Sequence, residues 1–100
     1  MKITVEFLSL PFLVKMIGSK TITLDFSGKT ADDLIHELGA KYGAGARKFL
    51  LDETGHLDMS LAMTVNKEWV RQNQMDRALH EGDRVTIMML VAGGSSNKRR

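Results

Sequence analysis

The chain has 100 residues, of which 43% are hydrophobic, 26% are charged and none is cysteine. This length makes a single domain with a modest core. The composition excludes a disordered chain, and the missing cysteines exclude disulfides and thiolate metal sites. A sequence pI of about 9.1 raises nucleic acid as a partner, but three of the fourteen basic residues are Lys98, Arg99 and Arg100. Without them eleven basic residues face twelve acidic ones, a net charge of −1. No aromatic residues interleave with the basic ones, so no nucleic-acid partner is expected. Glu6 interrupts the first apolar run and no cleavage site of small residues follows, so no signal peptide is read. The longest uncharged apolar run, residues 85–92, is far short of the ~20 residues of a membrane helix. A soluble, cytoplasmic protein with no membrane partner is the expectation.

KITVEFL alternates, with Ile3, Val5 and Phe7 on one face and Lys2, Thr4 and Glu6 on the other, as in a half-buried strand. A loop holding the only proline, Pro11, and ending near Gly18-Ser19 is expected next. KTITLDF then alternates again, with Ile22, Leu24 and Phe26 inward, so the first two strands form a hairpin with a wide connection.

The clearest helix is SGKTADDLIHELGAKYG. Thr30 is its N-cap, and Asp32 and Asp33 lie in the first turn, where the helix dipole favours negative charge. Ala31, Leu34, Ile35, Leu38 and Tyr42 form one apolar stripe. Gly43 and Gly45 read as stop signals. ARKFLLD fits either a short helix or a short strand. DETGHLD carries turn chemistry at Thr54-Gly55. LAMTVNKEWV reads as a strand, a turn at Asn66-Lys67 and a short return through Trp69 and Val70. A turn at Glu81-Gly82-Asp83 leads into the last strand, with Val85, Ile87 and Met89 inward and Met88 and Leu90 outward.

This order predicts an α+β fold in which one main helix covers one face of a mixed sheet of four to five strands. The first and last strands, being the most regular, are expected to be central; if adjacent, they run parallel. The expected core packs the helix stripe on Ile3, Val5, Phe7, Ile22, Leu24, Val85, Ile87 and Met89. Most of the seven methionines are expected to fill core.

Side chains suited to catalysis are not gathered anywhere along the chain. His36, His56 and His80 stand apart from one another and from any metal-ligand spacing. The glycines make no phosphate-binding pattern, and Ser95 and Ser96 have no base beside them. No cofactor, metal or enzymatic activity is expected. What remains is VAGG after the last strand. Glycine has no Cβ, so its backbone can enter a slot too narrow for any side chain. A carboxylate carried on such a stalk could be threaded into another enzyme's active site.

This element order resembles the ubiquitin-like β-grasp sulfur carriers, such as the small subunit of molybdopterin synthase and the thiamine-pathway sulfur carrier. The Gly82-Asp83 turn before an apolar strand, TVNKEWV from Thr64 to Val70, and the VAGG ending carry the likeness, which spans residues 1–94. The resemblance implies a β-grasp domain over 1–94. It also implies that a ubiquitin-activating-type enzyme adenylates the carboxylate of Gly94, and that thiocarboxylation there lets the chain donate sulfur in cofactor or metabolite biosynthesis. Val91, Ala92 and Gly93 would give access to the activating enzyme, with Met88 and Leu90 docking on it. A sulfur-acceptor synthase subunit is a further possible partner. Here SSNKRR follows Gly94, and an internal glycine has no carboxylate. Residues 95–100 are therefore expected to be a flexible basic extension that a protease removes by cutting after Gly94. The alternatives are a ubiquitin-like protein modifier that matures in the same way and a β-grasp binding module without carrier chemistry.

Overall fold

The structure, a computed structural model, describes residues 1–90. Five strands form one mixed sheet: β1 (Lys2–Leu8), β2 (Thr21–Asp25), β3 (Leu61–Val65), β4 (Glu68–Val70) and β5 (Arg84–Met89), in the order β2-β1-β5-β3-β4. The first two strands pair antiparallel, as the alternation predicts. β1 and β5 lie side by side in the interior and run parallel, from Thr4 opposite Arg84 to Leu8 opposite Met88. Antiparallel β3 and β4 complete the other side. This is the expected α+β, ubiquitin-like β-grasp architecture.

The main helix, α2 (Ala31–Tyr42), covers one face. Every free amide of its first turn has a partner. Ala31 N–H donates to the Arg77 carbonyl at 3.0 Å and Asp32 N–H to the Met75 carbonyl at 2.9 Å. Asp33 N–H donates to Thr30 Oγ1 at 3.1 Å. In return, the Asp33 carboxylate accepts from the N–H groups of Lys29 and Thr30 at 2.9 and 3.1 Å. These two bonds favour its charged form and, with the Lys29 amide first, hold its pKa below the usual carboxylate range. The stripe predicted from spacing is buried at Ala31, Leu34, Ile35 and Leu38, against Ile3, Val5, Phe7, Val85 and Ile87. Tyr42 and Ile22 are only partly buried at its margins.

Three expectations need correction. The segment containing Pro11 is a helix, α1 (Pro11–Ile17), and not a loop. Proline at the first helical position loses no intrahelical bond, Leu13 is buried, and Gly18 ends the helix at φ 93°. Gly45 stops nothing; it lies inside a third helix, α3 (Ala44–Leu50), which resolves ARKFLLD as helical up to Leu50 and extended at Leu51. α3 packs on α2 beside Gly39, where a Cβ would stand 3.3 Å from the Arg47 Cα and 3.2 Å from its Cβ, so glycine permits the close approach. The third correction is Met89. It follows the inward alternation of Val85 and Ile87, but it is 38% exposed. It is the last paired residue of β5, opposite Leu61, and the closed core ends at Ile87.

The Asn66-Lys67 turn joins β3 to β4 with both residues at positive φ, 51° and 73°, as a tight hairpin turn requires. The Asn66 side chain ties this turn to the start of β5. Its Nδ2 donates to Asp83 Oδ1 and its Oδ1 accepts from Arg84 N–H, each at 2.9 Å.

Two predictions follow from this packing. Leu34→Ala removes a fully buried side chain and should destabilise the domain by about 2–5 kcal/mol in chemical denaturation. Asp33→Asn keeps the acceptor but removes the charge. A carboxylate with a depressed folded pKa stabilises the protein above its unfolded pKa, and that stability is lost as pH falls through the folded value. Melting temperatures measured against pH should therefore show the variant less stable at neutral pH, with the gap closing below about pH 4.

Candidate functional site

The face of the sheet turned away from α2 has two halves of different chemistry. Toward the start of β1 it is polar and internally paired. Lys2 Nζ meets Asp25 Oδ1 at 3.0 Å, Arg84 Nη2 meets Glu6 Oε1 at 3.4 Å, and Thr4 and Thr23 hydroxyls lie 3.4 Å apart. Charges already matched in this way gain little from a partner.

Toward the end of β5 the same face is apolar. Met88 is half-buried between its register neighbours Leu8 and Ala62. Leu90, whose N–H donates to the Ser60 carbonyl at 2.7 Å, is 48% exposed. Trp69 of β4, opposite Thr64, is 59% exposed, and Met59 is 78% exposed. Leu90, Trp69, Met59 and Ala62 border a cleft of about 440 Å³ with Val70 and Arg71. Large apolar side chains left in water next to one another mark an interaction surface, and a tryptophan over a cleft is a favoured anchor.

The expected outward placement of Met88 and Leu90 therefore holds, and both belong to a larger patch. Met89, expected in the core, lies at the rim beside it. Trp69 and Met59 were not recognised as surface residues from sequence. One signal was present: in EWV the buried Val70 puts Trp69 on the opposite face, a strange place for a core tryptophan. Met59 had no such signal, because its loop has no periodicity. Val91, Ala92, Gly93 and Gly94, together with the extension 95–100, lie outside the described residues.

The histidines make only local contacts. His36 Nδ1 lies 3.0 Å from the Asp32 carbonyl oxygen, His56 Nδ1 2.8 Å from Thr54 Oγ1, and His80 Nδ1 3.9 Å from Asp83 Oδ2. Among the described residues, no three His, Asp or Glu side chains are placed to hold a metal ion, and no helix is long and apolar enough to cross a membrane.

Several known structures share this architecture. CysO of Mycobacterium tuberculosis is 31% identical, with 89% of this chain and 99% of that one aligned at a TM-score of 0.71. A chain of the BexX/CysO complex of Amycolatopsis orientalis is 28% identical, over 92% and 99% of the two chains, also at 0.71. Small archaeal modifier protein 1 of H. volcanii, 19% identical over 90% and 98% at 0.73, shares the fold. No curated protein sequence matches the chain significantly. The ThiS family model matches residues 13–94, from within α1 through the double glycine. The chain belongs to the ThiS family of ubiquitin-like β-grasp sulfur carriers.

Proposed function

We propose that this chain is a sulfur carrier that docks on a ubiquitin-activating-type adenylating enzyme through the apolar end of its outer sheet face. Residues 95–100 are first removed by a protease cutting after Gly94. The freed Gly94 carboxylate attacks the α-phosphorus of ATP and displaces pyrophosphate. A sulfur donor at the oxidation level of hydrosulfide then displaces AMP, leaving a thiocarboxylate for a sulfur-acceptor synthase subunit. A carboxylate is a poor electrophile, and the acyl-adenylate supplies the leaving group. The carrier brings a backbone, a docking face and no catalytic side chain. Val91, Ala92 and Gly93 form the stalk in this reading, with 1–94 as the working domain and 95–100 as its removable cap.

The observation that carries the reading is the cluster of exposed apolar side chains on the outer face where β5 finishes, while the exposed Phe12 of α1 lies apart from it beside Phe49. Leu90 lies at that end, and Trp69, Met59 and Met88 lie around it. Membership of the family supports it, as does the complex of CysO with BexX from Amycolatopsis orientalis, a similar structure. A modifier that is joined to protein amines would share every step up to the acyl-adenylate.

Met88→Asp would mix folding with docking, because Met88 is half-buried in a central strand. Leu90→Asp and Trp69→Ala are cleaner. Each should weaken the complex with the adenylating enzyme of the same organism by about tenfold or more, with the melting temperature nearly unchanged. Equal loss of stability and binding would return these residues to the core. For the chemistry, pyrophosphate exchange should be switched on in the chain ending at Gly94 and absent in the full chain. If neither form is adenylated, a β-grasp binding module replaces the carrier. If the full chain is equally active without cleavage, the cap is wrong.

A further inference from the structure

The methionines differ in exposure, and Met16 of α1 is half-buried against the core. Met63 and Met75 are buried, at 0% and 6% exposure. Met59 is 78% exposed and Met89 38% exposed, and Met88 is half-buried between them in chemistry and position. Met59 borders the apolar cleft with Leu90, and Met88 and Met89 are the last two residues of β5. Three of the seven methionines thus lie near the finish of β5: Met59 at the cleft, Met88 on the outer face and Met89 at the rim, on the inward side. Met1, as exposed as Met89, is at the opposite end of β1, where its amino group donates to the Phe26 carbonyl.

The chain has no cysteine, so a thioether is the only side-chain sulfur on which an oxidant can act. Exposure governs access, and sulfoxidation turns a flexible apolar side chain into a polar one. On a cleft lined mainly by apolar side chains, that change acts directly on docking.

We infer that Met59, Met89 and, more slowly, Met88 are a reversible oxidation site that turns carrier docking off under peroxide. In the step, a thioether lone pair attacks one peroxide oxygen and the O–O bond breaks. The sulfur gains an S–O bond and is oxidised by two electrons, and the peroxide is reduced to water. A dithiol-dependent sulfoxide reductase reverses it, its dithiol becoming a disulfide as the oxygen leaves as water. The inference rests on the docking reading above.

The test treats the full chain, and the same chain after cleavage at Gly94, with hydrogen peroxide. Peptide mass mapping locates the added oxygen, and calorimetry measures binding to the adenylating enzyme before and after. Neither form carries a thiocarboxylate, so no other reactive sulfur confuses the result. Met59 should oxidise first, Met89 and the distant Met1 next, and Met63 and Met75 last. Affinity should fall about tenfold or more and return after methionine sulfoxide reductase treatment. In a Met59→Leu, Met88→Leu, Met89→Leu variant the ratio of affinities before and after peroxide should stay near one, whatever leucine itself does to binding. The inference is overturned if Met63 oxidises as fast as Met59, if oxidised wild type binds unchanged, or if the leucine variant loses affinity equally. Failure of the untreated chain to bind in either form would instead remove the docking reading and this inference with it.

Discussion

The parallel pairing of β1 with β5 brings together two segments from opposite ends of the chain, and the remaining elements must be arranged around it. Its starting end is held by backbone. Thr4 N–H donates to the Asp83 carbonyl at 3.0 Å and Gly82 N–H to the Lys2 carbonyl at 2.9 Å. The Glu81 carboxylate accepts from Lys2 N–H at 3.1 Å. A parallel pair cannot be joined by a tight turn and needs a crossover. Here β2, all three helices and the β3–β4 hairpin form that crossover. The closed core follows from this arrangement, because Ile3, Val5, Phe7, Val85 and Ile87 line the inner face of the two central strands and need the α2 stripe to cover them. Removing apolar surface from water on this face is the main source of stability.

The same pairing sets where β5 finishes. Because β5 is central and parallel to β1, its last residues leave the sheet beside Leu8 and above the cleft at Trp69. The outer face then sorts itself by chemistry. Ion pairs and threonines occupy the end near the turn, where charges find partners within the domain. Methionine and leucine occupy the end where β5 finishes, and Trp69 borders the cleft beside them. A partner that buries the second half gains apolar contact without breaking any ion pair of the first.

Local chemistry accounts for most of what could be read directly from the chain. Strict alternation marked β1, β2 and β5, because a strand buried on one face must place every second residue inward. Thr30, Asp33 and the apolar spacing marked α2, because a helix start has free amides that need acceptors. The Asn66-Lys67 turn was visible as well, though its link to Asp83 and Arg84 was not, since those partners are far along the chain. α1 was missed because its only proline was taken for a loop residue, although Leu13, Val14 and Ile17 have helical spacing.

What the sequence determined by itself was the strands, the main helix, the rule that the first and last strands run parallel if adjacent, and the presence of Gly93-Gly94 beyond a well-patterned strand. These depend on short-range geometry and on alternation, which any reader of the chain can count. Tertiary structure decided which apolar residues were core and which were surface. Met63 and Met59 are the same residue type four positions apart, yet one is 0% exposed and the other 78%. Met89 obeys the inward alternation and still meets water, because the core closes at Ile87 before reaching it. Trp69 faces outward because Val70 pairs across the inner face with Met63. Burial depends on what packs against a side chain from distant parts of the chain, and no local pattern encodes where that cover ends.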